Sequence, residues 1–262
     1  MVEEHIVEKE IQKVMERCRV DRCNIRRLNL SGLGIKELPE NIFQGLINLH
    51  DLKLDHNELT TLPSNVFRGL KKLRKLYLFK NKITNLPENV FSDLYELQYL
   101  HLNNNYLSYL PSKLFRSCKK LIHLKLLYNQ ITYLPEDVFE GLENLYILLL
   151  NCNPIIELSP TLFDGLTNIY INMSNNEIES IHMETKEYLQ DEDNNIILAG
   201  IDLDKFEGLD DYDFYDYDQL NIKGEINIDY DLDDIKILDD YDFYDYDQLN
   251  IKGEINIDYS LE

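Results

Sequence analysis

The chain has 262 residues, enough for one or two domains, and 44% of them are hydrophobic, which is sufficient for a packed core. Its formal net charge of −22 is uneven, because residues 1–183 carry 21 basic and 22 acidic residues, whereas residues 184–262 carry 5 and 26. The acidic end is therefore unsuited to nucleic acid or to an anionic membrane surface, and no apolar run is long enough to predict a membrane span.

The first 23 residues predict an amphipathic helix. A helical projection of residues 3–19 puts the apolar side chains on one face, with Glu and Lys opposite; they are Val7, Ile11, Val14, Met15 and Cys18. The opening MVEEHIVEKE lacks the basic and then apolar pattern of a secretory signal. A cytoplasmic location is therefore expected.

A pattern of 24 residues repeats through residues 24–183. Complete copies begin at residues 48, 72, 96, 120 and 144, a degenerate copy begins at Asn24, and a shorter one begins near Asn168. Their consensus is LxxLxLxxNxLxxLPxxxFxxLxx. Since a unit of this length cannot bury its own apolar face, the repetition predicts a solenoid of stacked units.

Three positions of the unit have structural roles. The L-x-L segment predicts a short strand with inward leucines and an outward residue between them. The recurrent asparagine is predicted to hydrogen-bond backbone groups of its own and adjacent coils; the column comprises Asn57, Asn81, Asn105, Asn129 and Asn153. The recurrent phenylalanine is predicted to fill the convex side of the core; the column comprises Phe43, Phe67, Phe91, Phe115, Phe139 and Phe163.

This consensus resembles the leucine-rich repeat family in its typical, 24-residue subclass, over about Asn24 to Ile181. The resemblance implies an α/β solenoid, a right-handed horseshoe with a parallel sheet on its concave face and loops on its convex face. Here the helix of residues 1–23 would cap the first coil. Members of this subclass are commonest in secreted and cell-surface proteins, so that location stays open as the alternative to the cytoplasm.

The resemblance also implies that variable strand residues on the concave face contact a partner. Equivalent positions of stacked strands form continuous columns, which change from charged residues in the first coils to aromatic residues and histidines, and then to aliphatic residues. Outward aromatic patches are typical of binding surfaces. The predicted partner-binding residues are Tyr77, Phe79, Tyr99, His101, His123, Lys125, Leu127, Ile147 and Leu149. Cover by the chain's own tail is the alternative.

No catalytic motif is present: the sequence lacks HExxH, GxSxG, a phosphate-binding glycine loop and CxxC. An enzyme, a cofactor and a metal site are therefore not expected, and His101 and His123 lack an obvious third ligand. Cys118 occupies a leucine position and is predicted to be buried, whereas Cys18 and Cys23 could pair only in an oxidising compartment.

Residues 184–209 are predicted to cap the last coil, with a short helix in METKEYLQDEDNN and an extended element in NIILAGIDLDKF. Residues 210–262 form an acidic, tyrosine-rich tail in which Asp210–Tyr230 recurs unchanged as Asp239–Tyr259. The acidic half of each copy favours disorder. The other half, in which apolar and polar residues alternate, favours a hairpin, with its loop at Lys223–Glu225 in the first copy. A basic cluster spanning Arg68–Lys82 is a candidate contact for this tail or for an acidic partner.

The tail leaves further alternatives open. Its acid-flanked tyrosines resemble sulfation or phosphorylation sites; they are Tyr212, Tyr215, Tyr217, Tyr241, Tyr244 and Tyr246. A calcium loop from Asp229 is disfavoured, since Asp234 stands where glycine is needed. The leading hypothesis is a non-catalytic module that binds a protein or peptide. The alternatives are a scaffold whose tail is the functional part, through modified tyrosines or divalent ions, and a substrate-selecting adaptor or effector.

Overall fold

A computed structural model describes residues 6, 9, 12, 13, 21–201 and 203. Short strands recur once per coil through this part of the chain: β1 (Arg27–Asn29), β2 (Asp51–Lys53), β3 (Lys75–Tyr77), β4 (Tyr99–His101), β5 (His123–Lys125), β6 (Ile147–Leu149), β7 (Glu157–Leu158), β8 (Ile169–Asn172), β9 (Ser180–Ile181) and β10 (Ile196–Ala199). Helix α1 spans Met183–Gln190, and single 3-10 turns form at Arg22–Asn24 and Glu192–Asn194.

Eight of these strands form one parallel sheet in the order β1-β2-β3-β4-β5-β6-β8-β10, and β7 pairs with β9 in a second, two-stranded parallel sheet. The register advances by one repeat per strand, so that Leu52 pairs with Leu76, and Leu76 with Leu100. At β8 the step shortens to 23 residues, because one residue is missing from that unit, and Ile147 pairs with Tyr170. The predicted solenoid and its parallel sheet are confirmed.

The core is a continuous column of leucine and phenylalanine side chains. Every phenylalanine of the repeat is at most 1% exposed. Neighbouring rings stack nearly parallel, with centroids 6.2 Å apart for Phe43 and Phe67, 6.3 Å for Phe67 and Phe91, and 6.0 Å for Phe91 and Phe115. The stack explains why one large, flat side chain recurs at this position, since each ring fills the space between two coils.

The asparagine column forms the predicted ladder. The side-chain amide of Asn105 donates to the carbonyls of Leu78 and Leu102, each at 3.0 Å, and its Oδ1 accepts from the backbone N–H of Ile83 at 3.0 Å. Each coil is therefore tied to the preceding one through buried hydrogen bonds. The same pattern recurs at Asn57, Asn81, Asn129 and Asn153.

Replacing Asn105 with alanine is expected to lower the free energy of unfolding by about 1–3 kcal/mol, measured by urea denaturation. The loss is limited because Leu78 O still accepts from Asn81 and Leu102 O still accepts from Asn129. Only the N–H of Ile83 is left without its partner. Asn85→Ala is the control, since Asn85 is exposed. Equal losses in the two variants would contradict the ladder's contribution.

Both ends of the solenoid include elements outside the repeat. At the N-terminus, Ile6, Lys9, Gln12 and Lys13 are helical, and Ile6 packs against the core. The face predicted from Val7 to Cys18 lies outside the described residues. At the other end, α1 and β10 form where the sequence predicts a short helix and an extended element, and Thr185 of α1 donates to Ser159 O at 2.6 Å. The tail of residues 210–262 lies outside the described residues.

Candidate functional site

Strand alternation places one set of side chains on the concave face. In β3, Leu76 points into the core and is 0% exposed, while Tyr77 beside it is half-buried at the surface. The same alternation in β2, β4, β5 and β6 aligns the outward residues of successive coils. Because the strands pair in register, these side chains touch across coils and form one continuous surface.

The nine predicted partner-binding residues lie on this surface, on β3 to β6 and in the turns that follow β3 and β5. Eight of them are half-buried, whereas the side chain of His101 is 8% exposed. Tyr77 and His101 meet edge to face at 5.0 Å between ring centroids, and Tyr99 and His123 do so at 4.9 Å. Phe79 lies 6.4 Å from Tyr77 and 6.3 Å from His101. His101 therefore fills the floor of the surface rather than its rim.

The two histidines are held neutral. Burial lowers the pKa of His101 well below its ordinary value, and the charges of Lys125 and His123 act in the same direction. Burial also lowers the pKa of His123 to about 4, again with a contribution from Lys125. At neutral pH both rings are therefore uncharged and retain one N–H donor each.

Charged groups at the start of the sheet are already engaged with one another. The Arg27 guanidinium lies 3.0 Å from the Asp51 carboxylate. Asp55 accepts from the Ser31 hydroxyl at 2.7 Å and lies 2.9 Å from the His56 ring. These contacts hold the charged side chains at the start of the sheet against one another.

Lys75 was not among the residues singled out for binding, yet it belongs to this surface. Its side chain is 7% exposed, and its Nζ lies 5.3 Å from the centre of the Tyr99 ring. Lys53 takes the equivalent position over Tyr77 at 5.8 Å. The sequence signal for these contacts is a lysine that precedes a tyrosine by one repeat, because this spacing places an ammonium beside an aromatic ring.

The basic residues of Arg68–Lys82 lie before, within and after β3, and Lys75 is the one in the strand. Arg68, Lys71, Lys72 and Arg74 precede β3, whereas Lys80 and Lys82 follow it beyond the turn. The Lys72 ammonium donates to Asn48 Oδ1 at 2.7 Å, and that of Lys82 to Glu58 at 3.0 Å. The Lys82 contact also lowers the pKa of Glu58. Two lysines of this cluster therefore contact polar side chains of the preceding coil.

A second group of aromatic residues was not anticipated from the sequence. Tyr106, Tyr109 and Tyr133 are each about half exposed, and Tyr109 and Tyr133 are paired across two coils. They follow the ladder asparagines of their units and therefore lie off the concave face. The spacing of 24 residues between Tyr109 and Tyr133 is the signal that could have revealed this pair.

Other functional groups are few among residues 21–201. No cluster of three metal-ligating side chains occurs in the described part of the chain. Cys23, Cys118 and Cys152 carry free thiols, and burial raises the pKa of Cys118 to about 12, so that this thiol stays protonated. None of the described helices has the length and apolar character of a membrane span.

The leucine-rich repeat family model matches the chain in three overlapping segments, at residues 23–83, 73–131 and 96–150. These segments cover the coils that carry β1 to β6. With the parallel solenoid and the asparagine ladder, the match identifies the chain as a leucine-rich repeat protein. A comparison with curated proteins gave no match.

Solved structures of leucine-rich repeat proteins share the fold. A chain of the Toll–Spatzle complex from Drosophila, in its glycosylated form, is 27% identical over 62% of this chain and 25% of its own, with a TM-score of 0.52. A chain of the octameric complex of Latrophilin 3, Unc5D and FLRT2 is 27% identical over 59% of this chain and 48% of its own, with a TM-score of 0.52.

A chain of the TLR13–ssRNA13 complex has a TM-score of 0.62 over 72% of this chain and 27% of its own. At 22% identity it shows the fold alone. This chain spans about a quarter of the matched Toll–Spatzle and TLR13 chains, and about half of the matched chain in the FLRT2 complex.

Proposed function

We propose that the chain is a non-catalytic recognition module that binds a protein or peptide through the concave face. The observation that most directly supports this proposal is the continuous surface of half-buried aromatic and aliphatic side chains on β3 to β6. Their rings are already packed edge to face at about 5 Å. Side chains fixed in this way lose little conformational freedom on binding, which favours affinity.

The comparisons support this role at the level of the fold. Two of the similar structures are complexes between proteins, Toll with Spatzle and FLRT2 with Latrophilin 3 and Unc5D. A protein ligand also suits the charge of residues 1–183, which is close to zero, whereas nucleic-acid binding surfaces are strongly basic. The glycosylated form of the Toll–Spatzle structure favours a secreted or cell-surface location for this chain too.

Selection from a displayed peptide library on the intact chain tests this proposal. We expect selected peptides to lose about 100-fold or more in affinity for the variant Tyr77→Ala/Tyr99→Ala/His123→Ala, because central aromatic anchors carry most of the energy of an interface. The matched control is Tyr109→Ala/Tyr133→Ala, which removes two exposed tyrosines away from the concave face. Circular dichroism melts of both variants check folding.

The results for the two variants distinguish binding at the concave face from binding at another surface. Loss of binding only in the concave variant supports the proposed face. Unchanged binding there, or loss only in the control variant, would place recognition on another surface and overturn the proposal.

A further inference from the structure

Two asparagines of the concave face stand in the acceptor pattern for N-linked glycosylation, which is asparagine, any residue except proline, and then serine or threonine. The pattern occurs twice in the whole sequence, as NLS at residues 29–31 and as NMS at residues 172–174. Each asparagine is the last residue of a strand in the large sheet, β1 for Asn29 and β8 for Asn172.

The sheet register aligns these two asparagines in one column of outward positions. Asn29 pairs with Lys53 of β2, and Asn172 pairs with Leu149 of β6. Six strand steps separate the two asparagines, which at about 4.8 Å per step is about 30 Å along the sheet. The nine residues predicted to bind a partner therefore lie between them, on β3 to β6 and in the turns after β3 and β5.

Asn29 has an accessible amide nitrogen. The residue is exposed, and within the described part of the chain its side chain makes one hydrogen bond, in which Oδ1 accepts from the Ser31 N–H at 2.9 Å. The nitrogen to which a sugar would be attached makes no such bond. A glycan at this position therefore displaces no contact of the folded chain.

Asn172 is half-buried, and its contacts are compatible with the same attachment. Its Oδ1 accepts from the Ser174 N–H at 3.0 Å and from the Ser174 hydroxyl at 2.5 Å. Its amide nitrogen donates to the Tyr170 hydroxyl at 3.3 Å. A glycosylated asparagine keeps its carbonyl oxygen and one N–H, so both bonds to Ser174 are retained and one donor remains for Tyr170. The paired residue in β10 is the small Ala199.

The ladder asparagines provide a contrast, because their amides are buried and bonded to backbone carbonyls, as for Asn105. The repeat requires leucine or isoleucine two residues after each of them, as in Leu107 after Asn105. This requirement excludes the acceptor pattern at the ladder, where a glycan would break the hydrogen bonds between coils.

From these positions we propose that Asn29 and Asn172 carry N-linked glycans, which border the concave face at its two ends. In the covalent step, the amide nitrogen attacks C1 of the first sugar of a lipid-linked oligosaccharide diphosphate. The new C1–N bond replaces the C1–O bond, the lipid diphosphate leaves, and the nitrogen releases one proton. This step requires the secretory pathway, which a secreted or cell-surface location provides. The glycans cover β1 and β8 and leave the surface between them to the ligand of the proposed function.

The chain recovered from the cells that make it naturally provides the first test. Its peptides are treated with peptide-N-glycosidase in heavy-oxygen water, which converts a glycosylated asparagine into labelled aspartate, and are analysed by mass spectrometry. We expect label at Asn29 and at Asn172. Absence of label at both positions overturns the proposal, and label at one alone overturns the assignment of the other.

Variants of the full chain, secreted from eukaryotic cells, assign each glycan to its asparagine. Asn29→Gln and Asn172→Gln should each lose one of two mobility steps that the glycosidase removes. Ser174→Thr keeps the acceptor pattern and should keep its step, whereas Ser174→Ala should lose it. Asn65→Gln replaces an exposed asparagine outside the pattern and is the control. The steps are read on denatured chains from cells and medium together, so a folding defect does not remove them.

The bordering role is tested with the peptides selected on the intact chain. We expect the glycosylated chain and the enzymatically deglycosylated chain to bind them within about threefold of each other, because groups at the rim of an interface contribute little to its energy. A gain of about tenfold or more on deglycosylation would show that the sugars cover the binding surface and would overturn the bordering role. Absence of both glycans leaves concave recognition standing, since the Tyr77→Ala/Tyr99→Ala/His123→Ala variant tests that proposal separately.

Discussion

Replacing Phe91 with alanine is expected to lower the free energy of unfolding by about 3–5 kcal/mol, the cost of removing a fully buried phenylalanine. Phe91 is 0% exposed and stacks between Phe67 at 6.3 Å and Phe115 at 6.0 Å. Its loss leaves a cavity between coils, whose cost adds to the lost burial of the ring. Such a loss is large beside the 5–15 kcal/mol that stabilises a typical domain.

Guanidinium denaturation followed by circular dichroism measures this effect, since the chain has no tryptophan. In a stack of repeats each coil is stabilised mainly by its neighbours, so the variant should also unfold over a broader range, with a smaller dependence on denaturant. Tyr95→Ala, in the same unit but 47% exposed, is the matched control. A loss below about 1 kcal/mol for Phe91→Ala would show that the stack is not a principal source of stability.

Acid is expected to destabilise the solenoid through the concave histidines. Histidine titrates near pH 6.5 in an unfolded chain, whereas in the folded chain the pKa of His123 lies at about 4 and that of His101 is also depressed. The unfolded state therefore binds more protons, and stability is fully present above about pH 6.5 and is lost as the pH falls toward 4. With allowance for the partial exposure of His123, its contribution is about 2–3 kcal/mol.

Urea denaturation between pH 7.5 and pH 4 measures this loss. Acidic groups elsewhere also titrate in acid, so the informative quantity is the difference between the native chain and His101→Gln/His123→Gln. We expect the double variant to show a flatter pH dependence, because its glutamines cannot be protonated. The exposed His182 provides the control, because His182→Gln makes the same substitution away from the concave face. Parallel curves for native and double-variant chains would exclude the two histidines as the cause.

Much of the molecule follows from the spacing of a few residue types. The columns of leucine, asparagine and phenylalanine predicted the solenoid, the parallel register, the ladder and the buried Cys118, and the structure agrees with each. These features are predictable because each depends on contacts between equivalent positions of adjacent units. The position of a residue in the repeat therefore predicts which residues of the adjacent units it contacts.

The sequence predicted which residues lie on the concave surface but not how deeply each side chain is buried there. The columns placed Tyr77, Tyr99 and His123 on one face, yet only the packed side chains made His101 part of the floor and held Lys75 beside Tyr99. How deeply a side chain is buried depends on the direction in which it points, and the distance between residues along the chain does not encode that direction.

The sequence by itself determined the coil, its period and the residues that face outward, because strand alternation and the repeat length leave a single arrangement that buries the leucines of every L-x-L segment. Only the tertiary structure decided which outward groups are desolvated and which polar atoms lack partners. Those properties arise where side chains from neighbouring coils meet. Burial at such contacts lowers the pKa of His123 to about 4 and leaves its Nε2 without a hydrogen bond.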